Sequence, residues 1–294
     1  MSDKPYAPPP NMQVPYGMDS KAAGAQQPPQ AAYPPQAGFA PYGYASTNMP
    51  PPPADMHVPI HDTDPIVKGF QFNTETIRRG FIRKVYSILS VQLLFTFLVV
   101  MACVHHDGTK HFAIKNIGWL FPVTLILVFV TIITLSCCEG VRRTSPTNMI
   151  FLSLFTIGES IMVGMATINY PPDTVMIAVG LTAVVVIALT VFAFQTKWDF
   201  TMLGGVLFAA LWLMILTSFL MMFWRNHVAE LVFSSIGALL FCAYLIHDTQ
   251  LIMGGNHKFS MSPEEYILGA ITLFLDIINI FLYILRILGA ASKN

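Results

Sequence analysis

Two aspartates, Asp248 and Asp276, lie inside hydrophobic runs long enough to cross a membrane. A carboxylate in hydrocarbon costs roughly 2.5–3.5 kcal/mol on insertion scales. A chain carries that cost where the acid faces a bundle interior, a partner or a water-filled path. Two such acids on consecutive runs point to one shared site. Close carboxylates in a partly dry site cannot both ionise easily, so the pair is expected to share a proton and titrate as one unit. Loss of that proton adds a negative charge, which attracts a cation or a guanidinium. Arg142 and Arg143 are the candidate guanidiniums. An arginine paired with the acids would act as a latch at the mouth of a path, and H⁺ or Ca²⁺ would compete for the same oxygens. Ca²⁺ takes about six to eight oxygen ligands. Two aspartates plus Asn279 offer too few for a tight buffer and suit weak, transient binding. No resident cofactor is expected, only Ca²⁺ and H⁺ as permeant or regulatory ions.

Seven apolar runs must position these groups. They span approximately 86–104, 117–138, 149–168, 174–194, 202–224, 230–253 and 266–289. Each is near or above the roughly 20 residues a helix needs to cross about 30 Å of hydrocarbon. Their length and lack of alternation exclude a β-barrel. Asn169-Tyr170-Pro171-Pro172-Asp173 and Met253-Gly254-Gly255-Asn256 read as breaks between runs. Lys and Arg in the flanks set the orientation. Arg78, Arg79, Arg83, Lys84, Arg142, Arg143, Lys197 and Lys258 fall at one end, against Lys110, Lys115, Arg225, Arg286 and Lys293 at the other. This bias predicts a cytosolic N-terminus. Asp248 then lies roughly 8 Å, and Asp276 roughly 15 Å, from the cytosolic ends of the sixth and seventh helices. Both are expected to face one water-accessible vestibule.

Asp276, Asn279 and Tyr283 are spaced i, i+3, i+7 and share a helix face. With Asp276, Asn279 and Arg286 on it, the last helix is either re-entrant or central to the bundle, and the centre is the expected place. His247, Asp248 and Gln250 cluster near the cytosolic mouth, and Glu159 is a third intramembrane acid, midway along the third run. Glu159, Asn279, Tyr283 and Gln250 are therefore expected to line the path or support the site. Polar groups in membrane bundles also simply bond neighbouring helices, at about 1 kcal/mol each, and Asn279 and Glu159 suit that role equally.

Composition agrees. The 294 residues are 54% hydrophobic and only 11% charged, against about 25% charged in soluble domains. Net charge is zero, and no basic stripe argues for nucleic acid. The cysteines lack metal-ligand spacing. The expected fold is an all-α integral membrane protein, a seven-transmembrane-helix bundle with a central last helix. Before it lies a segment, 1–65, holding sixteen of the twenty-one prolines. Almost without aliphatic residues, it is expected to be a disordered cytosolic tail. It is a spacer or a weak docking site for SH3- or WW-type domains. Residues 66–85 read as a basic linker, and 86–290 as the membrane domain.

Residues 75–290 resemble the transmembrane Bax inhibitor motif family, also called Lifeguard. The resemblance rests on Ala243-Tyr244-Leu245-Ile246-His247-Asp248-Thr249-Gln250 and on Leu273-Phe274-Leu275-Asp276-Ile277-Ile278-Asn279-Ile280-Phe281-Leu282. Thr156-Ile157-Gly158-Glu159-Ser160 and Phe81-Ile82-Arg83-Lys84-Val85-Tyr86 add to it. The proline-rich tail is similar to that of the glutamate (NMDA) receptor-associated branch. The resemblance implies a pH-sensitive Ca²⁺ leak across Golgi, endoplasmic-reticulum or endolysosomal membranes. It implies two aspartates sharing a proton, at Asp248 and Asp276, and a latch arginine at Arg142 or Arg143. It also implies suppression of apoptosis, through lower stored Ca²⁺ or a partner. An intramembrane aspartyl protease would need Gly-x-Gly-Asp at its second acid, where this chain has Leu273-Phe274-Leu275-Asp276. No other catalytic motif appears, so no enzyme is expected. A non-conducting scaffold with membrane-protein partners and a proton-coupled Ca²⁺ exchanger are the alternatives.

Overall fold

The computed structural model describes residues 65–223, 226–255 and 257–291, with side chains from Glu75 onward. The proline-rich segment read as disordered lies outside the described residues. Among those described there is no strand, and eight α-helices follow in order. They are α1 (Pro65–His105), α2 (Asp107–Cys137), α3 (Glu139–Arg143), α4 (Thr147–Thr167), α5 (Pro172–Gln195), α6 (Gly204–Phe223), α7 (His227–Met253) and α8 (Tyr266–Ala291). All but α3 are long and apolar enough to cross a membrane. This is the multi-pass helical bundle that the seven runs predict.

The stretch read as a basic linker is helical. α1 begins at Pro65 and runs unbroken for 41 residues, about 60 Å at 1.5 Å per residue. Only half of that length is needed to cross the hydrocarbon. Phe81, Val85 and Leu89 continue the buried stripe of the span, at helical spacing, into the supposed linker. A stripe that packs on the bundle keeps its helix beyond the membrane.

Sequence chemistry ends the helices where expected. Pro171 and Pro172 open α5, where a missing N–H costs nothing. α7 stops at Gly254 and Gly255, whose φ angles of 61° and 77° lie in the region that favours glycine. A Cβ on Gly254 would also come within 2.9 Å of the Arg78 guanidinium. Asp199 caps the 3₁₀ turn Phe200–Leu203 before α6. Its Oδ1 accepts from the Thr201 N–H at 3.1 Å and from the Thr201 hydroxyl at 2.6 Å.

α8 is the most enclosed span, with 61% of its most apolar window buried against 11% for α6. Phe274, Leu273, Ile280 and Leu285 on α8 are almost wholly inaccessible. α1, α5 and α7 pack around it, while α6 packs mainly on α7. The central last helix follows from composition. α8 carries a carboxyl group at membrane depth, Asp276, which must be kept from lipid. The outward faces present large apolar side chains such as Val184, Leu213 and Leu239, as a bilayer requires.

Candidate functional site

α7 and α8 are antiparallel neighbours that pack along their length, joined by the short connection 254–265. That pairing brings the two aspartates together. Asp276 lies within Coulombic range of Asp248, and Tyr244, one turn before Asp248, is within range of both. Asp248 Oδ1 is 2.7 Å from His247 Nδ1. Asp276 Oδ2 is buried and has no hydrogen-bond partner among the described residues. An unpaired buried oxygen on a carboxyl group is expensive, and native folds rarely keep one without a role.

The expected vestibule is closed over them. Asp248 is 8% exposed and Asp276 4% exposed. Three fastenings tie distant elements together at the basic end of the bundle. The first is Gln250, fully buried. Its Nε2 donates to the Trp198 carbonyl at 2.9 Å, and its Oε1 accepts from the Phe200 N–H at 2.7 Å. Gln250 thus ties the α5–α6 loop to α7. The second is Arg78 on α1. It donates to the carbonyls of Met261 (2.7 Å) and Ile252 (3.4 Å), across the α7–α8 connection.

The third fastening involves both arginines expected to latch the aspartates. They take a different acid. Arg142 Nε donates to Glu265 Oε2, and its Nη2 reaches Glu265 Oε1 at 3.2 Å. Arg143 donates to the same Oε1 from Nε at 2.8 Å and from Nη2 at 2.5 Å. Arg142 Nη1 also donates to the carbonyls of Leu135 (3.0 Å) and Ser136 (2.7 Å) at the end of α2. A guanidinium there satisfies carbonyls that the helix leaves open and meets the negative end of its dipole. Arg142 is buried, whereas the Arg143 side chain is 41% exposed. Hydrogen bonding to Glu265 pushes the Arg143 pKa further up. The clasp forms at the basic end because α3 ends there and α8 begins there. Among the described residues, neither arginine makes a hydrogen bond or ion pair with Asp248 or Asp276.

Asn279 and Tyr283 share the last helix with Asp276 but not its surroundings. Asn279 Nδ2 donates to the Leu275 carbonyl within α8, at 2.8 Å. Tyr283 stacks on Phe241 with 5.9 Å between ring centroids. Its ring fills the space left by Gly237, where a Cβ would come within 2.5 Å. Gly237 is eleven residues from Asp248 along α7, about 16 Å, so Tyr283 supports the bundle away from the acids. Glu159 is half-buried on α4 and has no hydrogen-bond or ion partner among the described residues. Phe155 and Val163, one turn to either side on the same face, both belong to the central core. Thr156 and Ser160 beside it bond α1 instead, to Gln92 at 2.9 Å and Thr96 at 2.8 Å. Among the described residues no three His, Cys, Asp or Glu side chains gather as a metal cluster.

One of these groups carries a sequence signal that the spacing of the acids obscured. Ser262-Pro263-Glu264-Glu265 has the Ser-x-x-Glu form of a helix start, which puts a carboxylate at the mouth. Arg78 lies outside the apolar runs, and only the fold brings it onto the α7–α8 connection.

Comparison with known proteins agrees with this architecture. The model of a family described as inhibitor of apoptosis-promoting Bax1 matches residues 78–293. The chain is 36% identical to protein lifeguard 3 of Homo sapiens over 97% of this chain and 94% of that protein. It is 39% identical to protein lifeguard 4 of Mus musculus over 74% of this chain and 88% of that protein.

Proposed function

The chain belongs to the family of inhibitors of apoptosis-promoting Bax1, and on that premise we propose a pH-sensitive Ca²⁺ leak pathway. It sits in an intracellular membrane, with the N-terminus in the cytosol, and is gated by a proton shared between Asp248 and Asp276. Lowering stored Ca²⁺ is its route to suppressing apoptosis. The observation that carries this reading is the unpartnered, buried Oδ2 of Asp276 within Coulombic range of Asp248. A proton held between the two carboxyl groups removes the cost of that arrangement. Its departure leaves a charge that draws in a cation. The closed basic end fits the sealed state of such a path. Opening requires the Glu265 clasp, the Arg78 tie or the Gln250 tie to part. The sparse oxygen set suits a passing Ca²⁺ rather than a stored one.

The test is Ca²⁺ flux into liposomes holding the purified full chain, measured against pH, with Asp248→Asn/Asp276→Asn alongside. The expected result is a flux that follows one titration step in the parent and no pH-dependent flux in the variant. The same pH profile in both proteins overturns the site assignment. No flux above empty liposomes at any pH moves the reading to a non-conducting scaffold. Stoichiometric proton counterflow makes the protein an exchanger.

A further inference from the structure

α1 and α5 each pack on α8. Between them runs a cleft, open sideways towards the bilayer and floored by the central helix. Its deeper part encloses about 450 Å³ and is lined by Phe97, Val100, Thr182, Val186, Ile277 and Phe281, among others. A second part, about 260 Å³, continues it towards the basic end past Tyr86, Ser90, Thr190 and Leu273. The two parts share Leu93, Val186, Ile187 and Ile277, so the cleft is continuous. From Tyr86 to Val100 it follows α1 for about 21 Å, which exceeds the depth of one leaflet, about 15 Å. Its lining is almost wholly apolar.

One feature distinguishes the cleft from an ordinary lipid-facing surface. At its neck the Tyr86 hydroxyl is buried beside the Thr190 and Thr249 side chains. Above it, Arg83 occupies the same face of α1 as Tyr86, Ser90, Leu93 and Phe97, at helical spacing. Arg83 is exposed and in no salt bridge among the described residues, and Lys197 follows the end of α5 at the same end of the bundle. An apolar slot and an exposed cation one turn beyond its neck occur in the order of an acyl chain and a phosphate.

We propose that the α1–α5 cleft is a binding site for one anionic glycerophospholipid from the leaflet at the basic end. An acyl chain fills the slot, and Arg83 with Lys197 holds the headgroup charge. The site is independent of whether the bundle conducts ions.

The experiment is native mass spectrometry of the full chain released from detergent, after equilibration with equal amounts of phosphatidylserine and phosphatidylcholine. The parent is expected to retain one phosphatidylserine in preference to phosphatidylcholine. Val186→Trp fills the slot and is expected to reduce retention at least about tenfold, equivalent to about 1.4 kcal/mol. Val184→Trp adds the same bulk two residues away on an outward, exposed position, and is expected to leave retention unchanged. Arg83→Gln, on an exposed residue with no tertiary partner among the described residues, is expected to keep a bound lipid but lose the preference for the anionic one. Equal losses in both tryptophan variants, retention without headgroup preference in the parent, or an unaltered preference in Arg83→Gln each overturn the proposal.

Discussion

Glu265, just before α8, and Asp276 within it are both acids, yet their surroundings differ completely. Glu265 accepts from two guanidiniums, whereas one oxygen of Asp276 accepts from nothing. The two should therefore respond oppositely to neutral substitution. Glu265→Gln leaves Arg142 buried beside an amide and is expected to cost on the order of 2 kcal/mol, read as a lower melting temperature in detergent. Arg143→Gln, more exposed, is expected to lower it less than Arg142→Gln does; equal losses would refute the division of labour within the clasp. Asp276→Asn removes a buried acid without stripping a hydrogen bond from its Oδ2. It is expected to keep or raise the melting temperature while abolishing the pH dependence of flux.

At the scale of elements, the α5–α6 loop is held by a carboxylate that acid releases only late. Asp199 takes hydrogen bonds from the Thr201 hydroxyl, the Lys258 N–H at 2.7 Å and the Thr201 N–H. These hold its pKa below the ordinary carboxylate value. A group with a depressed folded pKa stabilises the fold above its unfolded value, about 3.9, and loses that contribution as pH falls through the lower folded value. The loop is therefore expected to stay fastened throughout the pH range from 7 to 5. Hydrogen exchange of the Lys258 amide, corrected for its intrinsic pH dependence, should show constant protection there and open only below about pH 4. Opening between pH 7 and 5 would mean that this loop is itself a pH switch. Arg78→Ala tests the neighbouring tie. It leaves the Met261 carbonyl without its donor, and protection of the α7–α8 connection is expected to fall while that of α8 persists.

For the whole molecule, the described bundle packs around α8 at its centre. Deleting residues 1–64 is expected to leave the melting temperature and any Ca²⁺ flux unchanged. A lost flux would place the tail inside the mechanism and favour partner-dependent action. Gly237→Ala acts on the bundle from within. The added methyl meets the Tyr283 ring, which is held against Phe241 and Phe233. The ring must tilt or the helices part, and the expected result is a destabilised α7–α8 pair, at about 1–3 kcal/mol, checked by thermal melting.

The amino-acid sequence by itself determined the seven spans, the breaks at Pro171-Pro172 and Gly254-Gly255, and the place of the last helix at the centre. Length, apolarity and the punctuation of proline and glycine are local properties, and an acid within an apolar run announces its own need for an interior. The nearness of Asp248 to Asp276 was legible too, since a short connection forces consecutive helices to be antiparallel neighbours. Only the tertiary structure decided what Arg142 and Arg143 hold. Their partner, Glu265, lies more than a hundred residues away, and whether a side chain reaches the mouth or the depth of a bundle depends on how α3 sits against α8. The same holds for Arg78 on distant carbonyls, for Gln250 spent on a loop, and for α1 remaining helical through a stretch that reads as a linker. Each of these is a contact between elements, and the pattern along one chain does not encode the distance between two of them.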